Sequence, residues 1–462
     1  MKIIEMLMVK LSSILHIPTR KYSSTDVFGC SERPPQNCPT FIVRNIHRRF
    51  SDAIKNNNII VVYGESRQGK TWTIEKFCPN QLRIGCTSSK NIIQLKRDML
   101  DVLGIKIRQV EHSITEEMAA GESGYTQVGS EMLATAGQSI NLSRSRSETL
   151  KTEYTTVDIN NDNEFLDTVK EHATGKCFVF DNFHYLPSNV QKEFCSVLKE
   201  FNYHGIKVII VGVWKEAARI TAMAPDLVNR CEHIDIGTWS LEEMDQVVKA
   251  GENALNIHIK DALTDEIKRC CANNIGIFKT FLLNLVQEYG IYSTNPRGIK
   301  ILDDDNKLRK VMAQVISEMY APLVDRAKNL ALPQRNKKDS KRMRLKIVIS
   351  ILRIIKHMDD DKIQLGISLE SIKQGVDNIC DEYQEKHIDI SHITQELGVI
   401  HQREENRQAG ENYIPLFYYD KVNRKLLVIE PTLYVIKNYD ANLIDNIVNR
   451  IVETEIEYQN RR

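Results

Sequence analysis

The sequence predicts an α/β fold in which a parallel β-sheet is covered by helices on both faces. Three observations lead to this prediction. Short runs such as IIVVYG and CFVFDN are apolar throughout, as in strands that are buried on both faces. Each run is followed by an amphipathic helical segment, and strands that alternate with helices form parallel sheets. The chain then becomes mainly helical and includes a β-hairpin near its end.

Length and composition are those of an ordinary globular protein. The 462 residues suffice for two to four domains, each with its own core. Lys and Arg number 62 against 61 Asp and Glu, so the net charge is +1 and no overall field recruits nucleic acid or anionic membrane. The 42% hydrophobic and 27% charged residues exclude collagen-like or largely disordered chains.

The ten cysteines show neither a CxxC pair nor zinc-binding spacing. We therefore interpret them as reduced, buried side chains of a cytoplasmic protein. The sequence contains no stretch of 18 apolar residues, the length needed to span a bilayer, so no membrane partner is expected. The N-terminal MKIIEMLMVKLSSILHI contains Glu5 and Lys10 and lacks a cleavage site, which indicates an amphipathic helix and not a signal peptide.

The predicted sheet domain is built in the following order. Phe41, Ile46, Phe50 and Ile54 recur at helical spacing and predict a helix before the first strand. Five strands follow, IIVVYG, LRIGCT, CFVFDN, IKVIIVGV and HIDI, with helices between them. Residues 108–157 are rich in Ser, Thr, Gly and Glu and are either a functional insertion or a mobile loop; we favour a partly ordered β-hairpin insertion.

Helical segments dominate after Ile236. Ser240 and Glu243 form the pattern of a capping box, which predicts a helix start there. The resulting boundaries are an N-terminal segment 1–40, the α/β domain 41–237, a helical lid 238–292, a linker helix with a basic run 293–345, and a C-terminal domain 346–462.

The C-terminal domain is predicted to be a winged helix-turn-helix. Helices over 346–357, 368–385 and 389–397 are followed by a hairpin, which is the order of that motif. The third helix carries Asp389 and Glu396 but no Lys or Arg, so it is a poor match to DNA phosphates. The hairpin cations Lys421, Arg424 and Lys425, together with the basic run 335–346, could contact phosphates. Alternatively, the run is a solvated linker and the domain docks proteins or inhibits the chain.

One motif carries specific chemistry. GESRQGKT at 64–71 matches the phosphate-binding loop, or P-loop, and lies between a strand and a helix as that loop requires. Its glycines let backbone N–H groups surround phosphates, the helix N-terminus faces them, and Lys70 reaches the β- and γ-phosphates. We predict that ATP is bound by Gly64, Glu65, Ser66, Arg67, Gln68, Gly69, Lys70, Thr71 and Trp72.

Magnesium and hydrolysis depend on the end of the CFVFD strand. We predict that Thr71 and Asp181 hold Mg²⁺, because an acidic residue after an apolar strand is the usual partner of a P-loop. The next residue, Asn182, cannot accept a proton as a general base does, so hydrolysis is less certain than binding. His184 is either a substitute base or a packing residue, and packing is favoured.

Four further residues are candidates for contacts with nucleotide. Arg230, just before the last strand, is either an arginine finger that reaches a neighbouring subunit or a surface arginine. Lys279, in the first turn after Gly276, is either a lid cation that meets the nucleotide or a solvated charge. Trp214 is expected to pack, and Lys215 either reaches phosphate or faces solvent.

These segments resemble the Orc/Cdc6-like and STAND-type branch of AAA+ ATPases. The similarity lies in VVYGESRQGKT, CFVFDNFHYLP, VIIVGVWKE and PDLVNRCEHIDI, and more narrowly it extends to bacterial ATP-binding proteins with a C-terminal winged helix. The resemblance implies a parallel-sheet P-loop NTPase domain with a helical lid and a winged helix, which rearrange with nucleotide state. Asn182, and the lack of a proline after Gly276, depart from the pattern.

The function predicted on this basis is an ATP-operated switch that controls assembly or docking. By resemblance, such a switch would serve bacterial signalling or defence, as a homo-oligomer or through a protein partner. The alternative is a DNA-binding ATPase of the initiator or transposition-helper kind, with double-stranded DNA as the partner. A metabolic kinase is disfavoured because no motif for a second substrate is present.

Overall fold

The computed structural model describes residues 21–31, 33–35, 37–107, 153–155, 157–212, 225–332, 338–407, 415–421 and 423–460. Several predictions concern residues outside these ranges: the N-terminal helix in 1–20, most of the insertion 108–157, Trp214, Lys215, and the start of the basic run.

The described part of the chain contains twelve strands. They are β1 Ile59–Tyr63, β2 Gln81–Gly85, β3 Ile105–Ile107, β4 Glu153–Thr155, β5 Cys177–Asp181, β6 Lys207–Val211, β7 Cys231–Asp235, β8 Ile257–Ile259, β9 Lys300–Leu302, β10 Ile367–Ser368, β11 Phe417–Asp420 and β12 Lys425–Val428.

The same residues contain sixteen α-helices. They are α1 Ser24–Phe28, α2 Asn45–Asn56, α3 Lys70–Phe77, α4 Ile92–Leu103, α5 Asp162–His172, α6 Ser188–Tyr203, α7 Leu241–Leu255, α8 Asp261–Cys270, α9 Ile275–Glu288, α10 Asp305–Ala331, α11 Lys338–His357, α12 Asp360–Gln364, α13 Leu369–Glu382, α14 Ile390–Arg407, α15 Thr432–Tyr439 and α16 Asn442–Asn460.

The central sheet has five strands in the order β2–β5–β6–β1–β7, and all neighbouring pairs are parallel. Ile59 of β1 lies beside Val208 of β6 and Cys231 of β7. Parallel strands end at one common edge, so Gly64, which follows β1, and Asp181, which ends β5, come to the same side of the sheet. The predicted parallel sheet is confirmed.

Helices cover both faces of this sheet. Ile60 and Val62 of β1 point into the core that α2 and α3 cover, whereas Ile59 and Val61 point into the core that α4, α5 and α6 cover. All four side chains are at most 2% exposed. The continuous apolar run therefore reflects burial on both faces, as the sequence predicted.

The helix before the first strand, α2, begins later than predicted. α2 begins at Asn45, and its cap residue Arg44 is extended, with φ −89° and ψ 163°. The Arg44 guanidinium donates to the carbonyls of Ile236 (2.9 Å) and Thr238 (2.8 Å), which fixes the chain at this point. The prediction that Phe41 belongs to the helix is wrong, because these contacts from β7 and the following segment hold the preceding residues extended.

The ends of the insertion pair with each other. β3 and β4 form a two-stranded parallel sheet, with Ile105 beside Glu153 and Ile107 beside Thr155. A hairpin between these two strands would be antiparallel. The described ends of the segment therefore do not form the predicted hairpin with each other, and most of the segment lies outside the described residues.

The helical region after β7 starts as predicted. The Glu243 N–H donates to the Ser240 hydroxyl (3.2 Å) and the Ser240 N–H donates to the Glu243 carboxylate (3.0 Å), so the capping box at the start of α7 is confirmed. The short helix α1 packs against α7 and α9. A Cβ at Gly251 would lie 2.1 Å from the Phe28 ring, so only glycine permits this contact.

The C-terminal region combines helices with a small antiparallel sheet of order β10–β12–β11. Three helices and a hairpin occur in the predicted order, as α11, α13, α14 and β11–β12. The short helix α12 and the strand β10 were not predicted, and α11 begins at Lys338 instead of 346. However, α14 continues to Arg407, ten residues beyond the predicted end at 397. Part of this extension is held by Glu404, whose buried carboxylate accepts a hydrogen bond from the Leu416 N–H (2.7 Å) at the start of the hairpin.

Two predictions about charge in this region are wrong. Glu396 does not face outward from α14; it is buried and ion-paired with Arg344 of α11. Lys346 is also buried and pairs with Glu385. The basic run is therefore not a solvated linker at these positions, because it enters α11, where Arg344 pairs with the buried Glu396 and Lys346 pairs with the half-buried Glu385.

The cysteines are all free thiols, but not all are buried. Eight are buried, Cys38 is half-buried and Cys30 is exposed. Among the described residues no helix combines the length and the apolar character needed to cross a membrane. That same part of the chain holds no group of three His, Cys, Asp or Glu side chains placed to bind a metal.

Candidate functional site

A cavity of about 410 Å³ opens at the carboxyl edge of the central sheet. Its wall combines distant parts of the chain: the N-terminal segment with Phe41 and His47, the P-loop with the start of α3, the end of β5, Trp239 after β7, the start of α9, and Pro415 before β11. Of the nine predicted ATP-binding residues, Ser66 to Trp72 line the cavity, whereas Gly64 and Glu65 do not.

The P-loop conformation follows from its sequence. Gly64 and Gly69 have φ of 142° and 95°, in the region that favours glycine, and Arg67 at 64° completes the turn. Gly69 caps α3, so the free N–H groups of that helix begin at Lys70. Such a loop and helix start form an anion site.

Lys70 is held by the loop itself. Its ammonium donates to the carbonyls of Gly64 (2.8 Å) and Glu65 (2.7 Å). The loss of hydration lowers the pKa of Lys70 to about 8, although Asp181 and Glu65 act in the opposite direction. The lysine is thus a cation near neutral pH with only carbonyl groups as hydrogen-bond partners.

The beginning of α9 is clamped to the P-loop by backbone-directed hydrogen bonds. The Asn274 side chain donates to the Ser66 carbonyl (2.9 Å), and the Gly276 N–H donates to the Arg67 carbonyl (3.0 Å). A Cβ at Gly276 would lie 2.6 Å from the Arg67 Cβ and 2.9 Å from its carbonyl oxygen. The close approach therefore requires glycine, which explains the Gly that precedes Lys279 in the sequence.

Two buried polar side chains support the loop from behind. Gln68 is 1% exposed, and its side-chain amide donates to the Glu65 carboxylate (3.4 Å). The backbone carbonyl of Gln68 accepts from the Trp239 indole N–H (3.3 Å). Burial raises the pKa of Glu65 to about 6. Asp360 of α12 and Asp235 of β7 add negative charge near it, which places the C-terminal region close to the loop.

Asp181 lies in the cavity wall but is already paired. The Arg83 guanidinium of β2 donates to the Asp181 carboxylate (2.6 Å) and lies 3.3 Å from the Glu75 carboxylate. Thr71 lines the same cavity. One carboxylate and one hydroxyl suit Mg²⁺, which takes few protein ligands and otherwise binds water and phosphate. Sequence reasoning missed Arg83, because nothing in LRIGCT marks a charge that crosses to β5.

The residues after Asp181 differ in their access to the cavity. Asn182 lines it, is exposed, and has a left-handed backbone with φ 58°. Tyr185 also lines it and was not predicted. His184 is absent from the wall and packs edge-on against Tyr185, with ring centroids 4.0 Å apart. This position agrees with the favoured interpretation of His184 as a packing residue.

Part of the cavity wall is aromatic. The Phe41 and His47 rings stack with centroids 5.3 Å apart, and Trp239 closes the wall beside Ile275. Burial lowers the pKa of His47 to about 4, so this imidazole is neutral at pH 7. The Arg44 guanidinium lies 4.5 Å from the Trp239 ring centroid and fixes it. A flat apolar base fits this aromatic part of the wall.

Lys279 reaches the cavity from the first turns of α9. Its side chain is 4% exposed, and burial lowers its pKa. The ammonium lies 4.3 Å from the Trp72 ring centroid. Of the two sequence interpretations, a solvated surface charge is wrong, because the lysine is buried.

Arg230 lies far from this cavity in the same chain. It directly precedes β7 and is exposed, so it sits at the amino edge of the sheet. Five strand residues at about 3.3 Å each separate the two edges by roughly 16 Å. Lys199 chiefly, and Arg230 in addition, hold the pKa of Asp226 below its usual value. The structure therefore does not bring Arg230 together with the other predicted site residues.

Comparison with known proteins gives a match only among solved structures. No protein-family model matches the chain, and no curated protein sequence matches it. The Walker-type ATPase of Pyrococcus abyssi is 11% identical, with 86% of this chain and 95% of that chain covered and a TM-score of 0.48. Cdc6p of Pyrobaculum aerophilum is 12% identical, with 94% and 99% covered and a TM-score of 0.37.

The Aeropyrum pernix ORC1 protein, solved in complex with DNA, is 7% identical over 93% of this chain and 96% of that chain, with a TM-score of 0.40. These similarities are too low to assign a family or a function. The parallel sheet with a glycine-rich loop after β1 is nevertheless the arrangement of a P-loop NTPase domain, and helices follow it as the sequence predicted.

Proposed function

We propose that this protein binds a magnesium nucleoside triphosphate, with ATP as the expected nucleotide, and acts as a nucleotide-controlled switch. The observation that carries the proposal is the composition of the cavity wall. The N-terminal segment, the P-loop, β5, α9 and Pro415 all contribute to it. A ligand in this cavity touches all of these parts, so its presence or loss changes how they are held together.

The charge distribution in the cavity supports a polyphosphate with a flat base. Lys70 and the N-terminus of α3 supply positive charge at the P-loop, and Lys279 adds a cation beside Trp72. Phe41 and Trp239 supply flat surfaces in the same wall. Thr71 and Asp181 would hold Mg²⁺, which neutralises phosphate charge when bound. Asp181 must first leave Arg83, so we expect magnesium and nucleotide to bind together.

Hydrolysis is proposed to be slow. Asn182 stands in the cavity wall after Asp181, and an amide cannot take a proton from water. General-base catalysis contributes about 10²–10⁴-fold, and that contribution is missing here unless another residue supplies it. A bound triphosphate then persists long enough to define a state of the protein.

The proposal is tested with Lys70→Ala, because Lys70 is a cavity cation that contributes little to the apolar core. The variant should lose binding of a fluorescent ATP analogue while its circular dichroism remains that of the wild type. Lys192→Ala, an exposed lysine on α6, is the control and should bind normally. Undiminished binding by folded Lys70→Ala protein contradicts the proposal.

A second function, binding of double-stranded DNA by the C-terminal region, has one observation in its favour. Because Glu396 is neutralised by Arg344, the exposed positions of α14 include Ser391, His392 and Gln395, which do not repel phosphate. Lys421 and Arg424 are exposed on the adjoining hairpin. The C-terminal region is then a winged helix that contacts duplex DNA, as the resemblance implies.

The DNA hypothesis predicts salt-dependent binding of a random-sequence duplex. Two phosphate contacts give a slope of about −2 in log K against log salt, and Lys421→Ala should reduce it by about one. Lys192→Ala should leave the slope unchanged. Binding that is absent at low salt, or that does not respond to Lys421→Ala, contradicts this function and leaves a protein partner as the target of the switch.

A further inference from the structure

The ammonium of Lys279 is in an unusual environment. It is buried, and among the described residues no hydrogen-bond acceptor lies within reach of it. No acidic side chain of the described chain forms an ion pair with it, and the titratable groups nearest to it are the thiols of Cys30 and Cys38. A buried ammonium without an acceptor is costly, and the described residues do not offset that cost with a hydrogen bond.

The thiols do not supply the missing negative charge. Although Cys30 is exposed as a residue, loss of hydration at its thiol raises the pKa of Cys30, so it is a neutral thiol at pH 7, and its Sγ donates to the Gly276 carbonyl (3.3 Å). Cys38 shares a hydrogen bond with the Thr40 hydroxyl (3.3 Å). Both groups therefore already have partners. An anionic ligand in the cavity that this lysine lines would supply the acceptor that the described residues do not.

Among the described residues, the Trp72 ring lies against the ammonium. The Lys279 nitrogen lies 4.3 Å from the indole centroid, within the range of a cation–π contact. The indole N–H donates to the Ser31 carbonyl (2.8 Å), which fixes the orientation of the ring. Trp72 follows Thr71 directly in α3, so the ring and the P-loop share one rigid helix start.

We propose that Trp72 is a positioning residue, which holds the Lys279 ammonium on its ring face and releases it to the polyphosphate of a bound nucleotide. The proposal rests on the proposed nucleotide-binding function and deepens it. The ring stores the cation beside the cavity in the absence of anion, and the phosphate oxygens supply stronger acceptors when they arrive. The surroundings of the Trp72 ring therefore differ between the free and the phosphate-bound protein.

The first test is a double-mutant cycle on affinity for magnesium ATP, measured by calorimetry. Lys279→Met should weaken binding about tenfold. Trp72→Leu should strengthen binding about two- to fivefold, because the free protein loses a contact that competes with phosphate, and it should change nothing in the Lys279→Met background, because the ring acts only through the lysine. Lys279→Arg and Trp72→Phe should remain within about threefold of the wild type, since a cation and a ring face are retained.

The second test uses the fluorescence of Trp72, isolated as the difference between wild-type and Trp72→Phe spectra. Addition of magnesium pyrophosphate, which has no base, should shift the wild-type difference spectrum towards that of Lys279→Met protein. The same addition should leave the Lys279→Met spectrum unchanged. This readout does not depend on hydrolysis, and it remains available through Trp72→Phe if Trp72→Leu protein fails to fold.

The outcomes separate this inference from the proposed function. Weaker binding by Trp72→Leu protein, or an effect of Trp72→Leu that persists in the Lys279→Met background, means that the ring does not act through the lysine and overturns the role of Trp72. An unchanged Trp72 spectrum with bound pyrophosphate also overturns it, although ATP binding that Lys70→Ala removes would still support the proposed function. A wild-type protein that binds neither ATP nor pyrophosphate overturns both.

Discussion

Three charged side chains of the cavity, Lys70, Asp181 and Lys279, are each held by a neighbour in the same chain. Lys70 bonds to loop carbonyls, Asp181 pairs with Arg83, and Lys279 lies on the Trp72 ring. A polyphosphate with Mg²⁺ offers a better partner to each of them. At the scale of single residues, binding is therefore an exchange of internal contacts for contacts with the nucleotide.

The lowered pKa of Lys70 predicts a pH dependence of nucleotide binding. Below about pH 8 the lysine of the free protein is protonated and ready to meet phosphate; above it, binding must take up a proton. The ATP affinity should therefore fall as pH rises from 8 to 9.5, by at most about tenfold per unit. Calorimetry of Lys70→Arg, which stays charged, should show no such fall. A flat wild-type profile contradicts the assignment.

Removal of Arg83 should make Asp181 more available. In Arg83→Gln the carboxylate loses its partner at 2.6 Å, so the magnesium concentration that gives half-maximal ATP binding should fall about two- to fivefold. Arg49→Gln is the matched control, because Arg49 forms a similar pair with Glu232 on β7 (2.7 Å). An unchanged or higher magnesium requirement in Arg83→Gln means that the pair does not compete with the metal.

The sequence predicted the residues that one local motif positions, and missed those that tertiary contacts bring in. The spacing of Gly64, Gly69 and Lys70 is set by the loop itself, so it is visible in eight residues. Arg83 reaches Asp181 of the cavity wall only because β2 lies beside β5. Trp239 joins the wall only because the segment after β7 meets the P-loop at Gln68. No spacing rule connects such distant positions.

At the scale of elements, the contact between α9 and the P-loop controls the cavity. Gly276→Ala should push the two apart, because its Cβ would overlap the Arg67 backbone. We expect a loss of about 1–3 kcal/mol in unfolding free energy together with weaker ATP binding. Gly85→Ala, at a glycine with open space and an ordinary φ, should change neither. Wild-type stability and affinity in Gly276→Ala protein would show that the contact is not needed.

Element boundaries were predicted well where they depend on local chemistry. Ser240 and Glu243 mark the start of α7 with their own side chains. The start of α2 and the end of α14 were wrong because distant groups fix them: carbonyls after β7 hold Arg44, and the hairpin N–H of Leu416 meets Glu404. These contacts span at least a dozen residues and have no local signature.

At the scale of the whole molecule, pairing of charges decides what a surface presents. The sequence places Glu396 on a candidate DNA-contacting helix and Arg344 in a basic run, yet the two neutralise each other in the interior. Charge counts along the chain therefore misrepresented both the repulsion of α14 and the attraction of the run. Only the fold shows which charges remain outside.

Arg230 provides the test of assembly. If it serves a neighbour's cavity, Arg230→Ala should keep the ATP affinity of the monomer but lose ATP-promoted assembly, measured by sizing with and without ATP. Mixing it with Lys70→Ala protein should partly restore stimulated turnover, because each variant spoils a different half of a shared site. Co-assembled mixtures with no recovery would mean that the cavity works within one chain.

The position of Arg230 at the amino edge of the sheet also limits the symmetry of any such assembly. Its distance from the cavity, on the opposite edge, means that the donor surface and the acceptor surface are different patches of one molecule. A two-fold dimer joins identical patches and would leave these two apart. If the two patches are separate in this way, subunits that share the site follow one another head to tail, so they close into a ring or continue as a helical filament.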